Sequence, residues 1–122
     1  KFDHETLDNI STAIHLSLIE TFHIPQDDFF QVMETHEHTH IKFPASYLGI
    51  PHSEDIVFIQ IIAARGRTPE QKKQLYKQVA ERIEATTSIG RNNLFIVLLE
   101  NNGPEDWSFG NGEIQEMKHL RK

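Results

Sequence analysis

The sequence predicts an α+β domain built from two β-α-β units, and three observations carry that prediction. An apolar, β-branched run of strand length, DIVFIQIIAA at 55–64, is followed from Thr68 by a capped helical repeat, and a second apolar run, LFIVLL at 94–99, closes the unit. The first half repeats the helix and the following strand.

Taken in order, the elements have these grounds. From His4 to about Phe22, Leu7, Ile10, Ile14 and Leu18 recur at spacings of three and four, which lays one apolar stripe along a helix. Pro25 closes that segment, and Phe29 to Met33 (FFQVM) reads as a short strand after the Asp27 and Asp28 turn. Between Glu34 and Glu54 the pattern weakens, and Pro44, Gly49 and Pro51 suggest a loop with room for one short strand. The run 55–64 is almost unbroken, so it is expected to be a central strand buried on both faces. Thr68, Pro69 and Gln71 supply an N-cap, a proline at the first helical position and an N3 glutamine, the capping box that satisfies orphaned helix-start amides. Leu75, Tyr76, Val79, Ala80 and Ile83 then share one side, while Lys72, Lys73, Lys77, Glu81 and Glu84 cover the other. The helix is expected to end near Thr87, with Gly90 in the connection, and the strand after it leads into ENNGPEDWSFGNGE, a turn-rich segment holding the only Trp. A crossover helix needs a strand on each side to bury its apolar stripe. Only Lys1, Phe2 and Asp3 precede the first helix, so further residues are expected at or near the start of the native chain.

The chain of 122 residues is one domain in length, with 38% apolar and 25% charged residues. Cysteine is absent, which removes disulfides, thiolate metal sites and cysteine nucleophiles. No apolar run approaches bilayer length, and the expected location is cytoplasmic. Twelve Lys plus Arg against eighteen Asp plus Glu give a net charge of −6, so neither nucleic acid nor a membrane surface is an expected partner. An anionic ligand needs a local cationic spot instead. The only arginines are Arg65, Arg67, Arg82, Arg91 and Arg121.

Arg65 and Arg67 stand two apart at the carboxyl end of a buried strand, and continued strand geometry would point both to one side. A carboxylate joins two such guanidinium groups through charge-assisted bonds. Alternatively, one pairs with a nearby Asp or Glu and the other is solvated. Asp28 reads locally as a solvated turn residue. Trp107 and Phe109 alternate around Ser108, which suits an apolar pocket wall and suits a subunit interface equally. His36, His38 and His40 would share one face of a strand, a spacing that can serve zinc, but an exposed polar edge is the favoured reading and no metal site is assigned. His4, His15, His23, His52 and His119 are scattered and read as surface or satisfied core residues. Gly110 and Gly112 mark a turn, since no strand-to-helix context frames them as a dinucleotide fingerprint.

Three segments together resemble the tautomerase superfamily, and in particular its fused two-unit members similar to malonate semialdehyde decarboxylase: FHIPQDDFFQV at 22–32, QIIAARGRTPEQKKQLY at 60–76 and DWSFGNG at 106–112. The resemblance implies a four-stranded, mainly parallel sheet with both helices on one face, in a homotrimer. It divides the single domain into a first unit at about 1–36, a connection at 37–54, a second unit at about 55–100 and a C-terminal segment at 101–122. It also implies cofactor-independent chemistry on a small anionic keto acid, by an amino-terminal proline that acts as a base when neutral and as an acid when protonated. On this resemblance Asp28 assists the proline, Arg65 and Arg67 hold the substrate carboxylate, and Trp107 and Phe109 form an apolar wall. Phe30 joins the substrate-binding set where relatives often carry Tyr. The chain begins with Lys1, and Lys1, Phe2 and Asp3 resemble the family's first strand, so the proline is expected ahead of them in the native protein. Decarboxylation or hydration, keto–enol tautomerisation of the phenylpyruvate type, and a catalytically silent trimeric carboxylate-binding scaffold all remain open at this point. A metal-dependent enzyme ranks below them.

Overall fold

The computed structural model describes residues 2–116. Lys1, His119 and Arg121 lie outside them, and so do the expectations placed on those residues. The element order is α1 (His4–Phe22), a 3₁₀ turn (His38–His40), β1 (Ser46–Tyr47), β2 (Ile50–Pro51), β3 (Val57–Ala64), α2 (Pro69–Thr86), a 3₁₀ turn (Arg91–Asn93), β4 (Leu94–Asn101) and a last 3₁₀ turn (Pro104–Asp106).

The second β-α-β unit is as expected. β3 and β4 pair in parallel from Val57↔Leu94 to Ala64↔Asn101, with α2 as the crossover. The capping box is complete: Gln71 N–H donates to Thr68 Oγ1 at 3.1 Å, and Thr68 N–H donates to Gln71 Oε1 at 2.9 Å. At the far end, the backbone N–H of the cap Thr87 donates to the Ile83 carbonyl.

Both helices cover one face of the sheet. Leu75, Val79 and Ile83 of α2 are 0% exposed and meet Ile10, Ala13 and Phe22 of α1 above Ile59 and Ile61 of β3. Burying side chains of this size is worth roughly 1.5–3 kcal/mol each, so this layer is the main source of stability. The helices run antiparallel. Asn9 Nδ2 donates to the Thr86 carbonyl at 3.0 Å near one end, and Gln71 Nε2 donates to the Thr21 carbonyl at 2.9 Å near the other.

Three expectations are corrected. β3 is buried on one face only: Phe58 and Ile62, which point away from the helices, are 51% and 52% exposed, and Phe95, Val97 and Leu99 of β4 join them on the outer face. An unbroken apolar run states that both sides avoid water, but a single chain with both helices on one side covers only that side. Second, Phe29 to Met33 is not a strand. The chain turns at His23, which takes a left-handed φ of 59°, and doubles back beside α1. There His15 Nε2 bonds the Gln26 carbonyl at 2.8 Å, and Gln31 Nε2 donates to the Ser11 carbonyl at 3.3 Å. Side-chain bonds between the segment and α1 hold it, one from each side, and no strand ladder does so among the described residues. Third, Phe2 and Asp3 are not strand residues: the Asp3 carboxylate accepts from Thr6 N–H at 2.8 Å and caps α1.

The weakly patterned stretch holds a hairpin, with Ser46 opposite Pro51 and Tyr47 opposite Ile50. Its two turn residues, Leu48 and Gly49, have φ of 52° and 78°, the paired positive values of the tight turn that matches strand twist. Among the described residues, no helix is long and apolar enough to cross a membrane.

Candidate active site

Parallel pairing leaves the carboxyl ends of β3 and β4 side by side, and the residues that leave those ends build the site. β3 stops at Ala64, and Arg65 N–H donates to the Asn101 carbonyl at 2.8 Å. Gly66 then takes φ of 119°, a value side chains disfavour, and turns the chain out of the strand. Strand alternation therefore does not relate the two arginines.

Arg67 swings back to the end of α1. Its Nη1 donates to the Ala64 carbonyl at 3.0 Å, its Nη2 donates to the Phe22 carbonyl at 3.2 Å, and its guanidinium carbon lies 4.8 Å from the Phe22 ring centre. Burial pushes its pKa down from the ordinary arginine value, while the negative charges of Asp28 and Glu100 pull it back up. Arginine keeps its proton through such shifts, so the group is a fixed, half-buried cation. Arg65 is exposed and does not line the groove that Arg67 lines.

Asp28 is placed by the turn after α1, where its N–H donates to the Pro25 carbonyl at 3.1 Å. Phe30 follows on the extended segment and is 72% exposed. From the other side comes the segment after β4. Trp107 and Phe109 stack with ring centres 5.1 Å apart and planes at 8°, and Phe30 lies 5.6 Å from Phe109. The indole Nε1 donates to Asn101 Oδ1 at 3.2 Å. Asp28, Phe30, Arg67, Trp107 and Phe109 thus line one open groove. Phe2 lines it too, and the apolar stripe of α1 contributes Leu7, Ile10, Ile14 and Leu18.

The structure brings five of the six sequence-derived site residues to that groove and leaves Arg65 at its margin. His36, His38 and His40 are all exposed, His38 and His40 fall in a 3₁₀ turn, and His36 meets Glu34 at 3.4 Å. Among the described residues, no group of His, Asp or Glu is arranged to hold a metal. Sequence reasoning missed Asn101, which serves the Arg65 amide and the Trp107 indole. Its only signal was its place at the end of an apolar run. It also missed His15, whose ring packs 4.7 Å from Phe29 and lines the groove.

Comparison with known proteins shows the family and the fold. The family model described as tautomerase enzyme matches residues 28–110. The probable tautomerase YusQ of Bacillus subtilis is 38% identical over 109 residues, covering 89% of this chain and 85% of that protein. A crystal structure of a malonate semialdehyde decarboxylase inhibited by 3-bromopropiolate superposes with a TM-score of 0.86 at 32% identity, covering 93% of this chain and 86% of that one. At 18% identity the fold is still shared with a fused 4-OT protein described as an asymmetric trimer, with a TM-score of 0.73 over 100% of this chain and 93% of that one. With the family model spanning both arms of the groove, from Asp28 to Gly110, the chain belongs to the tautomerase family.

Proposed function

We propose that the protein acts on a small keto acid in the manner of a malonate semialdehyde decarboxylase, without metal or organic cofactor. In this reading an amino-terminal proline, supplied by residues that precede Lys1 in the native chain, is the acid–base group. The observation that carries it is the convergence of a half-buried guanidinium, a carboxylate and three touching aromatic rings on one groove. Phe2 lines the same groove, which supports entry of the preceding residues there.

Arg67, held by two backbone carbonyls, is the fixed end of a carboxylate grip, and the exposed Arg65 is its movable end. The protonated proline nitrogen donates a hydrogen bond to the substrate's carbonyl oxygen. The carbon–carbon bond to the carboxylate then breaks, carbon dioxide leaves, and the electron pair becomes an enolate on that oxygen. The enolate carbon then takes a proton from the cationic proline or from water, and the proline is recharged from solvent when it is the donor. Trp107, Phe109 and Phe30 give the substrate an apolar wall, which disfavours the charged carboxylate relative to neutral carbon dioxide. Asp28 favours the cationic proline, or orients water where the substrate is hydrated instead.

The tautomerase name of the Bacillus relative favours a second reading, keto–enol transfer by a neutral proline in the same groove. Incubating the full-length protein with malonate semialdehyde, the enol of phenylpyruvate and a 3-haloacrylate, followed by NMR, separates the two by product. Mass measurement of the native amino terminus tests the proline itself. A mature protein that starts at Lys1 sinks both readings and leaves the carboxylate-binding scaffold.

The protein is further proposed to be a homotrimer. The apolar outer face of the sheet, with Phe58, Ile62, Phe95, Val97 and Leu99 between 38% and 52% exposed together with its neighbours, supports this reading, because a monomer would leave that patch in water. Sedimentation equilibrium checks it.

A further inference from the structure

Asn101, the last residue of β4, joins two parts of the groove that come from different segments. Its backbone carbonyl accepts from Arg65 N–H at 2.8 Å, just where the chain leaves β3 for the turn that carries Arg67. Its side-chain Oδ1 accepts twice, from Gly103 N–H at 3.2 Å and from Trp107 Nε1 at 3.2 Å. The bond to Gly103 is the local turn that an asparagine commonly makes with the residue two positions on. The bond to Trp107 is not needed for that turn. Indole has a single polar atom, a donor, so its one hydrogen bond sets the direction of the ring. Leaving that donor unpaired in a half-buried place is unfavourable.

We propose that Asn101 is a positioning residue for the groove. Its side-chain oxygen fixes the plane of Trp107 against Phe109, and its carbonyl fixes the departure point of the 65–67 turn, so that the aromatic wall and the arginine arm keep one mutual alignment. This rests on the reading of the groove as a keto-acid site.

Because Trp107 is the only tryptophan, its fluorescence reports on the proposed bond without interference. Asn101→Leu has similar size but no acceptor, and Asn101→Asp keeps one. In the full-length protein, Asn101→Leu should shift the emission to the red and raise acrylamide quenching. Its kcat on malonate semialdehyde should fall about 10- to 100-fold with a smaller change in KM, as expected when a contact surface is misaligned by a fraction of an ångström to an ångström. Asn101→Asp should stay close to the wild type in emission and quenching. A folded Asn101→Leu protein with unchanged emission, quenching and kcat overturns the proposal, and so does equal impairment of the Leu and Asp variants. If Asn101→Leu fails to fold, Asn101→Ala is read by the same criteria. A wild type with no activity on malonate semialdehyde defeats the substrate reading alone, since the fluorescence still decides the role of Asn101.

Discussion

Trp107 lies flat on Phe109, 5.1 Å between ring centres and 8° between planes, and Phe109 in turn touches Phe30 across the groove at 5.6 Å. Phe109 is therefore the middle of a three-ring wall whose outer members come from opposite arms. Phe109→Leu should destabilise the fold by about 0.5–1.5 kcal/mol per lost ring pair, beyond the change in buried area. Thermal unfolding measures the loss, and a change in Trp107 emission locates it.

The two arginines should behave differently. Arg67→Ala removes two bonds to backbone carbonyls as well as a contact with Phe22, so it should lower both stability and kcat/KM. Bonds from a charged donor are worth about 1.5–3 kcal/mol, and a loss of about 2–4 kcal/mol in substrate use is expected where the partner is left unpaired. Arg67→Lys should rescue little, because a single ammonium does not reproduce the guanidinium fork. Arg65→Ala should reduce kcat/KM and leave the melting temperature near that of the wild type. Equal melting temperatures for the two alanine variants would count against the division of labour.

Asp28→Asn should depress kcat more than it raises KM, because the group is read as acting on the reacting proline and not as a substrate grip. Steady-state kinetics with separated kcat and KM check this. A pure KM effect would reassign Asp28 to positioning.

Stability should fall in acid, and two surface carboxylates should contribute. Hydrogen bonds from Arg91 hold the Glu84 carboxyl below its ordinary pKa, and bonds from Thr6 do the same for Asp3. A carboxyl whose folded pKa is depressed stabilises the fold above its unfolded value, and that contribution is lost as pH falls through the folded one. Urea midpoints measured from neutral pH into acid should therefore decline less steeply in Glu84→Gln and Asp3→Asn than in the wild type.

Leu75→Ala should cost about 2–5 kcal/mol, since Leu75 is 0% exposed and sits where both helices meet the sheet. Chemical denaturation gives the value directly.

Much of this architecture is legible in the sequence because its causes are local. The apolar stripe of α1, the Thr68–Pro69–Gln71 start of α2 and the two apolar strand runs each act within a few residues, and each element forms where those signals stand. What was not legible depends on partners. FFQVM has the composition of a strand, yet it is tied to α1 by side-chain bonds: Gln31 of the segment donates to the Ser11 carbonyl, and His15 of α1 bonds the Gln26 carbonyl just ahead of it. The outer faces of β3 and β4 are apolar, but no spacing rule says what is to lie against them. Within the site, Asp28, Phe30, Arg67, Trp107 and Phe109 were named from resemblance and meet in the groove. The expected alignment of Arg65 with Arg67 assumed a continuing strand, and the positive φ of Gly66 ends it. Asn101 went unnoticed because a terminal asparagine carries no pattern until its neighbours are known.

Gln71 completes the capping box through its oxygen and spends its nitrogen on the Thr21 carbonyl near the end of α1. One amide thus fastens the beginning of one helix to the close of the other. Fraying of either tip must release the same side chain, so both tips belong to a single cooperative opening unit. Amide hydrogen exchange should then show the last turn of α1 and the first turn of α2 opening together, and Gln71→Leu should uncouple them.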